Sequence, residues 1–124
     1  MRRILAVIAL AALAYIAITV FLVYREMGTR NRVASVLRAA IAYRDQVEAA
    51  LRESRPLPAP PTTLGPHTRA LSAKPDGTIV IEVADDLFPG GRIFYTPSRS
   101  GKVIAWKCSV QQINLKFVPQ TCRD

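Results

Sequence analysis

The hydrophobic pattern of the chain changes character along its length. From Ile4 to Tyr24 no side chain is charged, and the run reads ILAVIALAALAYIAITVFLVY. At about 1.5 Å per residue, a helix of this length spans roughly 30 Å of hydrocarbon. A helix also satisfies its own backbone there. Arg2 and Arg3 precede the run and Arg25 follows it. Positive flanks on both sides leave the charge rule for orientation weak. The N-terminus is placed in the cytoplasm because both cysteines then reach an oxidising compartment. A cleaved export signal is the competing reading, with Ala12-Leu13-Ala14 as its small-x-small site. The apolar run, however, continues ten residues past Ala14 to Tyr24. A signal's apolar core stops before its cut, so residues 1–24 are read as a retained anchor.

Beyond the anchor the period becomes helical. Val33, Val36, Leu37, Ala40, Ile41, Val47, Ala50 and Leu51 recur at i, i+3 and i+4. Gly28 alone does not break a helix. Arg44, Glu48 and Arg52 are spaced for i, i+4 pairs of a few tenths of a kcal/mol each. Residues 25–55 therefore read as an amphipathic continuation of the anchor. Its apolar face packs on its own domain, or in part on neighbouring subunits. Pro56, Pro58, Pro60, Pro61 and Pro66 cannot continue a helix, which places its end near Ser54–Arg55. Residues 56–72 are expected as a Pro-rich loop that wraps the domain or offers a binding surface.

From residue 73 the pattern is that of strands. Pro75-Asp76-Gly77 is a turn, and Thr78–Val83 is rich in β-branched residues. Pro89-Gly90-Gly91 is the next turn, followed by a strand at Arg92–Thr96. Ser98–Gly101 turns the chain again into a strand over Lys102–Val110. Ile113–Val118 is expected as a short edge strand before Pro119. The result is an α+β fold: one long N-terminal helix on a small antiparallel sheet of three or four strands, over residues 73–124.

Composition adds limits. A chain of 124 residues suits one small domain plus an anchor. The net charge of +8 is spread along the chain, which favours loose attraction to anionic surfaces without naming a partner. Cys108 and Cys122 are the only cysteines. In an exported protein such a pair is most simply a disulfide, and closing a loop of this length stabilises by roughly 3 kcal/mol. No further Cys or neighbouring His completes a tetrahedral metal site.

Two segments resemble type IV pilins. Tyr24 through Leu37 is similar to the stretch that leaves the membrane helix of major pilins. Gly91, Ile93, Thr96, Pro97, Ile104, Trp106, Cys108, Pro119, Cys122 and Arg123 match the pilin carboxy-terminal pattern. The resemblance implies a lollipop shape with a disulfide-bounded loop at the far end of the sheet. It also implies polymerisation through membrane helices into filaments for adhesion, twitching motility, secretion or DNA uptake. The family's members carry a leader ending in Gly and, after its cut, a Glu within the first turns of the helix. Here Met1-Arg2-Arg3-Ile4 holds no such Gly, Leu5 stands where the Glu is expected, and Leu22 stands where a Pro is expected. These departures fit an uncleaved membrane-resident relative, a filament-tip subunit, or a start that lies upstream.

The remaining candidates are weighed on their chemistry. Trp106 shares a strand face with Cys108 and is expected to pack against the disulfide. His67 is a lone loop histidine, read as solvated. Asp85-Asp86 reads as a solvated turn, without the ligand spacing of a calcium loop. Arg92, Arg99, Lys102, Lys107 and Lys116 could form a basic face for DNA phosphates, although scattered cations on strands also guard edges from aggregation. No nucleophile–base pair or Gly-rich phosphate loop is present, and neither a cofactor nor enzymatic activity is expected. Three functions follow: a pilus subunit, minor or at a tip; a non-polymerising inner-membrane-anchored accessory protein; or a module binding DNA or a surface ligand. The partners expected are other pilin subunits or pilus assembly proteins. The location expected is the bacterial inner membrane, single-pass, with the domain in the periplasm or on the surface pilus.

Overall fold

The computed structural model describes residues 1–123. One helix, α1, runs unbroken over Arg2–Arg52, and four strands follow: β1 (Thr68–Ala73), β2 (Ile79–Val83), β3 (Arg92–Ser100) and β4 (Val103–Gln111). They form one antiparallel sheet in the order β1-β2-β3-β4, so the architecture is the expected α+β arrangement of a long helix on a small sheet.

Helix α1 is continuous because no proline interrupts it before Pro56. Within the apolar run Thr19 donates its hydroxyl back to the Tyr15 carbonyl at 2.8 Å, so that donor is satisfied within the helix. The helix stops in a Schellman arrangement. Ser54 takes a left-handed φ of 52°. The Arg55 N–H donates to the Ala50 carbonyl at 2.9 Å, and the Ser54 N–H to the Leu51 carbonyl at 3.4 Å. Pro56 then prevents any further turn.

Only the second half of α1 meets the sheet. Val33, Val36, Leu37, Ala40, Tyr43, Val47 and Ala50 are buried. Opposite them lie the inward residues of β2 (Ile79, Ile81, Val83), β3 (Ile93, Tyr95) and β4 (Ile104, Cys108). Register aligns this inner face: Ile81 stands beside Ile93, and Tyr95 beside both Ile79 and Cys108. Ile113, Val118 and Cys122 close the open end of the core. Gly91 permits this closure. A Cβ there would sit 2.7 Å from Val83 Cγ2, 2.9 Å from Phe88 Cβ and 3.0 Å from Ile113 Cγ1.

The β1–β2 hairpin turns on Lys74–Thr78. The Gly77 N–H donates to the Lys74 carbonyl at 2.9 Å, and Gly77 holds φ of 94°. Asp76 accepts from the Thr78 N–H at 2.9 Å, and this bond holds its carboxyl below the ordinary range. The Pro-rich segment is fastened to the helix rather than left loose. The Tyr43 hydroxyl donates to the Pro58 carbonyl at 2.8 Å, and Leu57 packs on the core.

Several expectations are corrected. Strand β1 begins inside the segment expected as loop, because β2 offers it a free edge although its own sequence, TRALSA, is poor in β-branched residues. Strand β3 runs past Pro97 to Ser100. Strand β2 begins with Ile79 opposite Tyr95, so past Tyr95 β3 is an edge where a residue without an N–H is tolerated. Ile113–Val118 is not a strand. Asn114 caps a 3-10 turn at Leu115–Phe117, accepting from the Lys116 N–H at 3.1 Å, and a second turn covers Gln120–Cys122. The disulfide-bounded segment does not lie at the far end of the sheet. Lys116 within it reaches Glu26 and Arg30 of α1, at the end nearest the apolar run. Glu48 pairs with Arg52 at 3.7 Å, whereas Arg44 turns to the Tyr95 ring at 5.3 Å.

Two outcomes follow. Gly91→Ala forces Val83, Phe88 and Ile113 apart and is expected to cost about 1–3 kcal/mol. Thermal unfolding of the full chain in detergent, followed by circular dichroism, should show a Tm lower by several degrees; an unchanged Tm would mean that the closure is loose. Burial raises the pKa of both Tyr43 and Tyr95 above the ordinary 10.0. A raised value favours the neutral phenol in the folded state. Its contribution is therefore full below pH 10 and is lost as pH rises further. Tyr43→Phe is expected to lower stability by about 1 kcal/mol at neutral pH through the lost hydrogen bond, and to flatten the alkaline decline seen in urea titrations above pH 10.

Candidate functional site

The most unusual surface of the molecule is the first half of α1. Large apolar side chains from Ile4 to Met27 stand exposed; Leu10 is 67% and Phe21 63% accessible. A soluble monomer does not leave an apolar surface of this extent bare. The helix is long and apolar enough to cross a membrane. Among the described residues nothing folds back over it.

The second surface is the C-terminal segment that abuts the bare helix. Cys108 and Cys122 are joined by a disulfide, which ties the segment to β4. Phe117 packs on Phe88 with ring centres 5.8 Å apart. Arg30 donates its Nε–H to the Lys116 carbonyl at 3.2 Å, and the Lys116 ammonium meets Glu26 at 3.1 Å. Arg123 donates its Nε–H to the Val118 carbonyl at 3.1 Å. Arg30 and Glu26 did not stand out in the sequence. Their partners lie 86 and 90 residues away, and no local pattern signals such a contact.

Between α1 and this segment runs a cleft of about 400 Å³, lined by Leu37, Arg38, Arg44, Tyr95, Trp106 and the disulfide. Trp106 is half-buried on the same strand face as Cys108, and its indole N–H donates to Glu48 Oε1 at 3.3 Å. Arg44 lies over the Tyr95 ring, and its buried Nε has no partner. Burial raises the Tyr95 pKa and the Arg44 charge partly opposes this.

The five cations that composition singled out do not meet on one face. Arg92 pairs with Glu82 on the outer sheet face at 3.2 Å. Lys107 lies on the same face, beside Thr96. Arg99 and Lys102 flank the β3–β4 hairpin tip, where Arg99 bonds the Gly101 carbonyl at 3.2 Å. Lys116 sits beside α1. His67 adopts a left-handed φ of 65° and its carbonyl accepts from the Ala84 N–H at 2.8 Å, so it turns the chain into β1. Asp85 joins an ion-pair chain through Arg69 to Glu82. Among the described residues no cluster of His, Cys, Asp and Glu could hold a metal.

No curated protein and no solved structure matches the chain. A family model described as pilin, a bacterial filament protein, matches residues 29–123. The match starts where α1 leaves its bare half and ends just after Cys122. It covers the folded unit whole, and the chain belongs to the pilin family of bacterial filament proteins.

Proposed function

We propose that the protein is a subunit of a type IV pilus or related filament, minor or at its tip, serving adhesion or motility. The observation that carries this reading is the bare apolar half of α1, continuous with the helix that the domain packs on. Before assembly that half would anchor the chain in the bacterial inner membrane as a single pass, with the domain in the periplasm. Leaving lipid for water would expose the thirteen large apolar side chains from Ile4 to Val23, at a cost on the order of 20–40 kcal/mol. The segment therefore leaves the bilayer only into another apolar surrounding, and the matching helices of neighbouring subunits supply one.

A second reading is a non-polymerising, membrane-anchored accessory protein that retains the pilin domain to contact assembly proteins. It is favoured by the absence of any acidic side chain between Ile4 and Tyr24, Leu5 included. A carboxylate inside hydrocarbon is costly unless it is paired, and the apolar run offers none for a neighbouring subunit to pair with.

Filaments sheared from intact cells of the native host, immunoblotted beside the inner-membrane fraction, separate the two. The chain is expected in the sheared filaments. Its confinement to the inner membrane, with filaments present but empty of it, would leave the accessory reading standing.

A further inference from the structure

We propose that the membrane-proximal end of the domain is a binding site for the phosphate headgroups of anionic phospholipids, built by Arg30, Lys116 and Arg123. The inference rests on the reading that residues 4–24 span a bilayer. A shallow pocket of about 260 Å³ lies between α1 and the C-terminal segment, lined by these three cations with Phe117, Val118 and Pro119. It therefore combines donors for an anion with an apolar rim. Arg30 and Arg123 each direct the Nε–H to a main-chain carbonyl. That contact fixes the guanidinium fork and leaves its terminal N–H groups as the donors these two lining residues can offer an anion.

The continuity of α1 sets the height of this pocket. Glu26, which holds the Lys116 ammonium, lies two residues past Tyr24, and Arg30 lies six past it. At 1.5 Å per residue these positions are about 3 Å and about 9 Å beyond the end of the apolar run. Helical side chains lean toward the N-terminus, here back toward the bilayer. The headgroup layer is about 5–8 Å thick on each side of the hydrocarbon, so the cations stand in it or at its edge. Screening acts over about 8 Å at physiological salt and does not remove the attraction at this distance.

The local charge is one-sided. Arg30, Lys116 and Arg123 line the pocket, Arg25 and Arg32 flank Arg30 along α1, and Glu26 is the acid paired here among the described residues; in the sequence Asp124 follows Arg123. An apolar anchor combined with a basic collar is the pairing of signals that strengthens membrane attachment. The other end of the domain differs. Trp106 meets Glu48 near the last turns of α1, so the hairpin tip that carries Lys102 points away from the bilayer.

The test uses the full chain in lipid nanodiscs of phosphatidylcholine, alone and with a minor share of phosphatidylglycerol. Lipids that remain bound on release are identified by native mass spectrometry. Phosphatidylglycerol is expected to be enriched over its share in the disc, by about fivefold per contributing cation. Lys116→Gln with Arg123→Gln should remove most of that enrichment. Lys102→Gln with Lys107→Gln, equal in charge lost, should leave it unchanged. Glu26→Gln should raise it. Equal retention of the two lipids, or equal loss in both double variants, overturns the site. Failure of the wild-type chain to enter phosphatidylcholine discs at all would instead overturn the membrane-spanning reading, and with it the proposal.

Discussion

Helix α1 serves two surroundings along one axis, and the remainder of the structure is arranged around that constraint. Its first half is apolar on every side, which suits hydrocarbon or other helices but not water. Its second half is apolar along one stripe, which suits a sheet. A proline or a left-handed residue between the halves would have separated these roles into an anchor and an independent domain. Neither occurs before Ser54. The sheet is therefore built on a rod whose direction the apolar run imposes. Only Val33 to Ala50 is available for it to bury.

That short contact leaves a small core, and small cores need closure. The C-terminal segment supplies it from three sides. Ile113 and Val118 fill the end of the core, Phe117 packs on Phe88, and the disulfide fixes Cys122 to β4. The magnitudes rank these contributions. Burying an aliphatic side chain stabilises by about 1.5–3 kcal/mol, and the cross-link by about 3 kcal/mol. The Lys116–Glu26 pair, half exposed on both sides, is worth at most about 1 kcal/mol. Packing and the disulfide therefore decide that the segment is held. The polar contacts decide where along α1 its cations lie.

Much of this was legible in the sequence, for identifiable reasons. The anchor, the amphipathic stripe and strands β2 to β4 each announce themselves within a window of ten or twenty residues. Such patterns depend on local period alone. Strand β1 did not, because TRALSA alternates weakly and is a strand only by virtue of the edge that β2 presents. The 3-10 turns were hidden because Ile113–Val118 has the composition of a strand, and the Asn114 cap outweighs it. At the candidate sites, the pairing of Cys108 with Cys122 could be read from two residues. The environment of Lys116 could not be read, since it depends on a contact across ninety positions. Arg44 was misjudged for the same reason. Its helical neighbour Glu48 was visible, but the Tyr95 ring that draws it away was not.

The uncharged run from Ile4 to Tyr24 has a consequence for any assembly that uses it. Between apolar helices in an apolar surrounding, dispersion contacts change little when one helix slides past another by a turn. A buried polar pair is the usual means of fixing register; this segment has no charged side chain to provide one, and its Thr19 hydroxyl is already bonded within its own helix. The strongest polar contacts for setting longitudinal register would then lie where charges begin: Arg25, Glu26, Arg30 and the Lys116 segment held against them. Because α1 is unbroken, a contact made at that level fixes the height of every residue below it. The same short band of charge proposed to meet the lipid headgroups in a membrane would set the stagger between neighbouring subunits in a filament.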